Sequence, residues 1–284
     1  MNIKVLKKSI LDMESDVIVV NLFEGVKKPA GVTGIVDKAY KGVISDFVIK
    51  KEKFEGKYGD IYELPLIKEG KKILIVGLGK SSEDMYFTVF SGKGLRKFCE
   101  EDLSEFNYTK IRDLSAKVAR LCNSYKNVKK VVSVLHGAGV GGLCPELCSQ
   151  MIVEGVVSGL YSFDKYKETK KQNNLKEFTI VEIDKDKFKK AEIGAERGVI
   201  VARNLNMARD LINESSQYMY PETLADFAVK NSGVKTTVYN KAQIKKMGMN
   251  AFLAVGQGSV HEPRFIHMEY KPEKAAKNIR KIAI

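Results

Sequence analysis

At 284 residues, with 44% hydrophobic and 29% charged residues, the chain has the composition of a globular protein, with material for one large domain or two ordinary ones. A net charge of +13 raises the question of a nucleic-acid partner. The surplus comes from 40 Lys against 8 Arg, scattered in doublets such as Lys27-Lys28, Lys129-Lys130 and Lys245-Lys246, a pattern of solvated surface that argues against specific nucleic-acid binding.

The opening residues 1–16 carry charges throughout and contain no apolar run of signal-peptide length. No window reaches the ~18 uninterrupted apolar residues of a membrane span, so a cytoplasmic protein without a membrane partner is expected. Four cysteines, Cys99, Cys122, Cys144 and Cys148, do not make a disulfide framework in a chain this long. Cys144 and Cys148 could share a helix face as half a metal site, but no second pair with suitable spacing completes it. All four read as buried thiols.

In chain order, Ile3 to Val5 and Val17 to Val20 are β-branched runs separated by the turn-like Asp12 to Asp16. Asn21 to Gly25 leads into Gly31 to Ala39, a strand, loop and helix succession of the α/β kind. Gly56 to Leu66 alternates like a hairpin with Gly59-Asp60 in its turn, and Lys71 to Lys80 is a buried strand ending in a glycine turn. That GLGK turn lacks P-loop spacing, and Ser82 stands where a dinucleotide fingerprint needs its third glycine. Leu114 to Tyr125 reads as a helix and Val131 to Leu135 as a strand. The strand runs into a glycine-dense segment where Gly137, Gly139 and Gly142 fit G-x-G-x-x-G before a helix at Glu146 to Leu160. A match comes cheaply in such a run, so a tight structural loop is the first reading and a phosphate loop the second. Asp164 is only roughly placed to be the acidic ribose partner.

From Phe163 the composition turns polar and charged, as in a linker closing a first domain. Glu177 to Ile183 is read as an isolated strand. A long helix follows from Lys187, with Ile193, Ile200, Met207 and Leu211 expected on its apolar face. Tyr220-Pro221-Glu222-Thr223 opens another helix with proline in its first turn. Thr236 to Tyr239 is a strand and Lys241 to Met247 a helix, capped by Gly248. The stretch Gly248 to Tyr270 then reads as a strand at Ala251 to Val255, a glycine loop, the Pro263 break and a second strand at Phe265 to Tyr270. Ile279 to Ile284 looks like the start of a further strand. His261, Glu262 and His267 lack H-E-x-x-H spacing and read as ordinary loop and strand residues. Asp210, Asn213 and Glu214 read as caps and packing contacts.

Four ordered runs carry a resemblance. They are Glu154-Gly155 through Tyr161 to Lys167, Ala202 to Glu214, Tyr220 to Ala225, and Gly248 to Ser259 continued by Glu262 to Ile266. Over most of its length the chain resembles the leucyl (cytosol) aminopeptidases, the hexameric two-metal exopeptidases. Ser15 to Val20 and Gly31 to Ala39 resemble that family's small N-terminal domain, itself similar to macro domains. The resemblance implies an α/β protein with a macro-like domain at 1–165, a linker and first strand at 166–190, and the incomplete start of the metallo-exopeptidase domain at 191–284. It further implies two divalent metal ions (Mn or Zn), peptide substrates, a homo-hexameric assembly and release of N-terminal amino acids.

The family's lysine motif follows soon after the strand that Ile282 to Ile284 resembles, and its aspartates, glutamate and arginine lie beyond. The resemblance therefore transfers no catalytic and no metal residue to this sequence. As part of an aminopeptidase, whether a piece, a split gene or a truncated product, the 284 residues alone are expected to be inactive. The alternative is a non-catalytic binding or assembly protein that keeps the macro-like domain, with Gly137 to Gly142 as its ligand site.

Overall fold

β-branched runs with buried residues on both faces form parallel strands, because only a sheet covered on both sides hides them. The computed structural model describes residues 1–66, 70–80, 107–139, 143–170, 172–272 and 282–283. The chain divides into two compact units, Met1–Ala208 and Arg209–Ile284.

The first unit is built on strands β1 (Asn2–Leu6), β2 (Val17–Leu22), β3 (Ile61–Leu66), β4 (Lys71–Gly77), β5 (Lys130–Val134) and β6 (Glu177–Val181). They form one sheet in the order β1-β6-β5-β2-β4-β3, parallel except for the antiparallel β3–β4 pair. Its helices are α1 (Gly31–Ala39), α2 (Tyr108–Ser124), α3 (Pro145–Gly159) and α4 (Lys185–Asn213), which runs on into the second unit. Alternation along β2 divides the core. Val17 and Val19 face a cluster with Ile111, Leu114, Ile152 and Val156 of α2 and α3. Ile18, Val20 and Leu22 face Val36 of α1 together with Ile44 and Val48 of a π-helical segment, Val43–Lys51. The Asp16 carboxylate accepts the Lys129 and Lys130 N–H groups at 2.7 and 2.8 Å, tying the start of β2 to the start of β5.

Several expectations are corrected. The Gly56 to Leu66 hairpin does not form. Only Ile61–Leu66 is a strand, and its partner is the following β4. Glu177–Val181 is not isolated: the strand expected within 166–190 pairs with both β1 and β5 inside the sheet of the first unit. The buried face of α4 is not Ile193, Ile200, Met207 and Leu211. Ala191, Gly194, Ala195, Gly198 and Ala202 are buried instead, while Ile193 and Ile200 are exposed. A Cβ on Gly194 would stand 1.9 Å from the Glu146 carbonyl oxygen, so α3 and α4 meet backbone to backbone. Cys122 and Cys148 are buried thiols pushed up to about 12 by that burial, but Cys144 is exposed, and Cys99 lies outside the described residues.

The second unit holds α5 (Pro221–Asn231), β7 (Lys235–Tyr239), α6 (Lys241–Lys246), α7 (Asn250–Val255) and β8 (Phe265–Glu269), with β7 and β8 antiparallel. Ala251 to Val255 is therefore a helix and not the expected strand. A short apolar run does not distinguish the two, and its two alanines favour the helix. Residues 279–281 and 284 of the expected last strand lie outside the described residues. Among the described residues of this unit only Ala225 and Ile244 are buried, while Val255, Val260 and Tyr270 are 90%, 96% and 76% exposed. So little core cannot offset the conformational entropy of ordering the segment. Amide hydrogens of β7 and β8 are expected to exchange much faster than those of β2 and β5, measured by hydrogen–deuterium exchange. Equal protection in the two sheets would contradict this.

Candidate functional site

Two regions collect the residues singled out in the sequence. The first is a cleft of about 550 Å³ at the carboxyl ends of β2, β5 and β6. Its walls are residues 21–23 at the end of β2, residues 30–33 and Ile35 at the start of α1, Val134, Leu135, Gly137 and Gly139 after β5, and residues 181–184 after β6. β2 leads to α1 on one face of the sheet, and β5 leads to α3 on the other. Adjacent parallel strands whose connections diverge in this way leave a crevice between them.

At the cleft lies a polar triad made of half-buried Asn21, which lines it, with buried Ser133 and His136. His136 is 2% exposed and Ser133 is 0% exposed. Asn21 Nδ2 lies 2.9 Å from His136 Nδ1, and Ser133 Oγ lies 3.0 Å from His136 Nε2 and 3.1 Å from the Val134 carbonyl. An amide nitrogen only donates, so Nδ1 is the acceptor and Nε2 carries the proton. Nε2–H then donates to Ser133 Oγ, and that hydroxyl spends its hydrogen on the Val134 carbonyl. The backbone carbonyl of Asn21 accepts from Thr33 Oγ1 at 2.8 Å, which pins α1 to the strand end.

Burial pushes the His136 imidazole down from 6.5 to about 4. The unfolded chain takes up that proton near pH 6.5 and the folded chain only near 4, so the unfolded state binds more protons in between. The contribution is complete above pH 6.5 and is lost as the pH falls toward 4, on the order of 3 kcal/mol in all. Urea midpoints at descending pH should therefore fall more steeply for the wild type than for His136→Gln, which cannot take the proton. Identical slopes would refute the assignment.

The second region is the stretch around Gly248 to Tyr270. Gly248 has the left-handed φ of +74° expected of a residue just past a helix end, here α6. The His261 ring stacks on Tyr220 with centroids 4.2 Å apart and an interplanar angle of 11°. Glu262 is engaged by Arg264 at 3.2 Å, and Arg264 also lies 4.0 Å from Glu222. His267 stands in β8 opposite Thr237. These groups are taken up by stacking, ion pairing and strand register. Among the described residues no group of three or more His, Cys, Asp or Glu side chains is placed to hold a metal ion. Gly137 and Gly139 line the first cleft, while Gly142 lies outside the described residues. The triad of Asn21, Ser133 and His136 was missed in the sequence, where only the position of His136 at the end of β5 hinted at it.

Comparisons with known proteins agree across the chain. Residues 19–170 match the family model described as the cytosol aminopeptidase family, N-terminal domain. Residues 206–284 match that of the same family's catalytic domain. A probable cytosol aminopeptidase of Alkaliphilus oremlandii is 32% identical over 287 residues, covering 98% of this chain and 52% of the relative. One from Aquifex aeolicus is 32% identical over 292 residues, covering 100% of this chain and 51% of the relative. The chain thus spans about half the length of the curated relatives it matches. Among solved structures, a mutant tomato leucine aminopeptidase aligns with a TM-score of 0.70 at 19% identity, covering 97% of this chain and 52% of that one. The bottromycin maturation enzyme BotP in complex with Mn aligns at 0.64 and 20% identity, covering 92% and 46%. These two show likeness of fold. Among the described residues no helix is long and apolar enough to cross a membrane. With an N-terminal-domain match followed in order by a catalytic-domain match, the chain belongs to the cytosol aminopeptidase family.

Proposed function

We propose that these residues supply the N-terminal domain and the opening part of the catalytic domain of a metal-dependent aminopeptidase, an enzyme that removes N-terminal amino acids from peptides in the cytoplasm. The observation that carries this reading is the order of the two family matches, 19–170 and then 206–284. A neighbour in fold has been solved with Mn, which supports divalent-metal chemistry, with Mn and Zn both in keeping with it. The full enzyme is a homo-oligomer, a hexamer as in the family.

The described residues do not fit a two-metal centre. Such a centre needs several carboxylates converging on one point, and the acidic and histidine side chains of the second unit are dispersed or engaged elsewhere. No catalytic step is derived from them. Their role is to form a platform on which a site is completed by residues other than these. The test is release of leucine from a leucyl-arylamide with Mn or Zn added. The 284 residues alone would be compared with the same residues joined to the remaining catalytic-domain sequence of the Alkaliphilus oremlandii relative. Activity is expected in the joined protein only.

A second reading, a binding or assembly protein, is favoured by one observation: the cleft that includes Gly137 and Gly139.

A further inference from the structure

The cleft at the ends of β2, β5 and β6 has a size and a charge pattern that narrow its occupant. Its volume of about 550 Å³ falls in the range of small-molecule sites. Phe23, Val32, Ile35, Val134 and Ile183 give it apolar walls. Its charged side chains sit together on the turn from β6 into α4, where Glu182, Asp184 and Lys187 line the mouth. Asp184 Oδ1 accepts the Asp186 and Lys187 N–H groups at 3.0 and 2.8 Å, and the second of these bonds contributes most to holding its carboxyl below the usual range. Glu182 Oε1 accepts the Asp184 N–H at 3.0 Å. Two carboxylates stand against the Lys187 ammonium, with Lys7 also close enough to act on Asp184, so the rim carries both signs of charge and no excess of positive charge for a multiply charged phosphate. A wholly apolar ligand would leave the rim unused. A molecule with one ammonium, one carboxylate and an apolar body matches all three features.

We propose that this cleft binds a small zwitterion with an apolar side chain, a free apolar amino acid or dipeptide, with its ammonium at Glu182 and Asp184, its carboxylate at Lys187 and its side chain against the apolar walls. The inference rests on the cleft alone. It would therefore survive failure of the aminopeptidase reading.

The test is an amide chemical-shift titration of the full chain with leucine, with 4-methylvalerate (no ammonium), with leucinamide (no carboxylate) and with adenosine monophosphate. Leucine is expected to shift Gly31 to Thr33, Gly137 and Ile183, and to bind roughly threefold to fivefold more tightly than either analogue, the worth of a partly exposed ion pair. Ile35→Glu should abolish the shifts. Glu182→Gln should weaken leucine roughly threefold while leaving 4-methylvalerate unchanged, which keeps the test open if the first variant folds poorly. No shifts at about 10 mM leucine, well above a millimolar Kd, would overturn the proposal. So would tighter binding of the nucleotide than of leucine.

Discussion

Gly155→Ala is expected to destabilise the first unit by about 3 kcal/mol, among the larger losses available to a single methyl group. Gly155 lies in α3 where it crosses α2. A Cβ there would stand 2.1 Å from the Arg112 carbonyl oxygen and 2.9 Å from Ser115 Cβ. The first of these atoms is helix backbone and cannot swing aside as a flexible side chain would, so the two helices must part. Parting them opens the contacts of Ile111, Leu114, Ile152 and Val156, which cover one face of the sheet. In a unit of this size the loss corresponds to roughly 6–12 °C in Tm, read by calorimetry or circular dichroism. Gly139→Ala is the control, since its Cβ would meet nothing within 4 Å, and it should melt with the wild type. An unchanged midpoint for Gly155→Ala would mean that the helices do not meet at this seam.

The neighbouring seam between α3 and α4 is where the sequence is least legible. β2, β4 and β5 were legible because Val and Ile runs buried on both faces have few alternatives to a parallel sheet. The start of α5 was legible from Pro221 in its first turn. Helix α4 was legible in its existence but not in its orientation. Apolar periodicity weights large side chains, and pointed to Ile193 and Ile200, which are exposed. The buried stripe of Ala191, Gly194, Ala195, Gly198 and Ala202 carries little apolar signal, because its role is to let backbones approach. The neighbours of β6 were likewise hidden. Sheet order is a non-local property, and nothing near Glu177–Val181 says that β1 and β5 flank it.

The candidate sites divide similarly. Gly137 and Gly139 were found from spacing alone and do line a cleft. Asn21 was not found, since β2 brings it to His136 from 115 residues away, and Ser133, three residues before His136, reads in the sequence only as part of the strand. The acidic rim at Glu182 and Asp184 was not legible, because nothing local to the end of β6 says that it lines a cleft with the ends of β2 and β5. Family resemblance supplied what spacing could not: the expectation of a metal-dependent peptidase fold, and the expectation that its ligand set lies outside this sequence.

That second expectation has the largest consequence. A two-metal hydrolase works by lowering the pKa of a bridging water and polarising the scissile carbonyl, and a protein without the ligands forfeits that acceleration entirely. The account is tested most directly by assaying the purified 284-residue chain for release of leucine from a leucyl-arylamide, with Mn and with Zn, against a chelated control. It predicts no metal-dependent release above the uncatalysed background, a shortfall of about a millionfold or more relative to a working enzyme. Saturable release that depends on added metal and disappears on chelation, from these 284 residues alone, would contradict it.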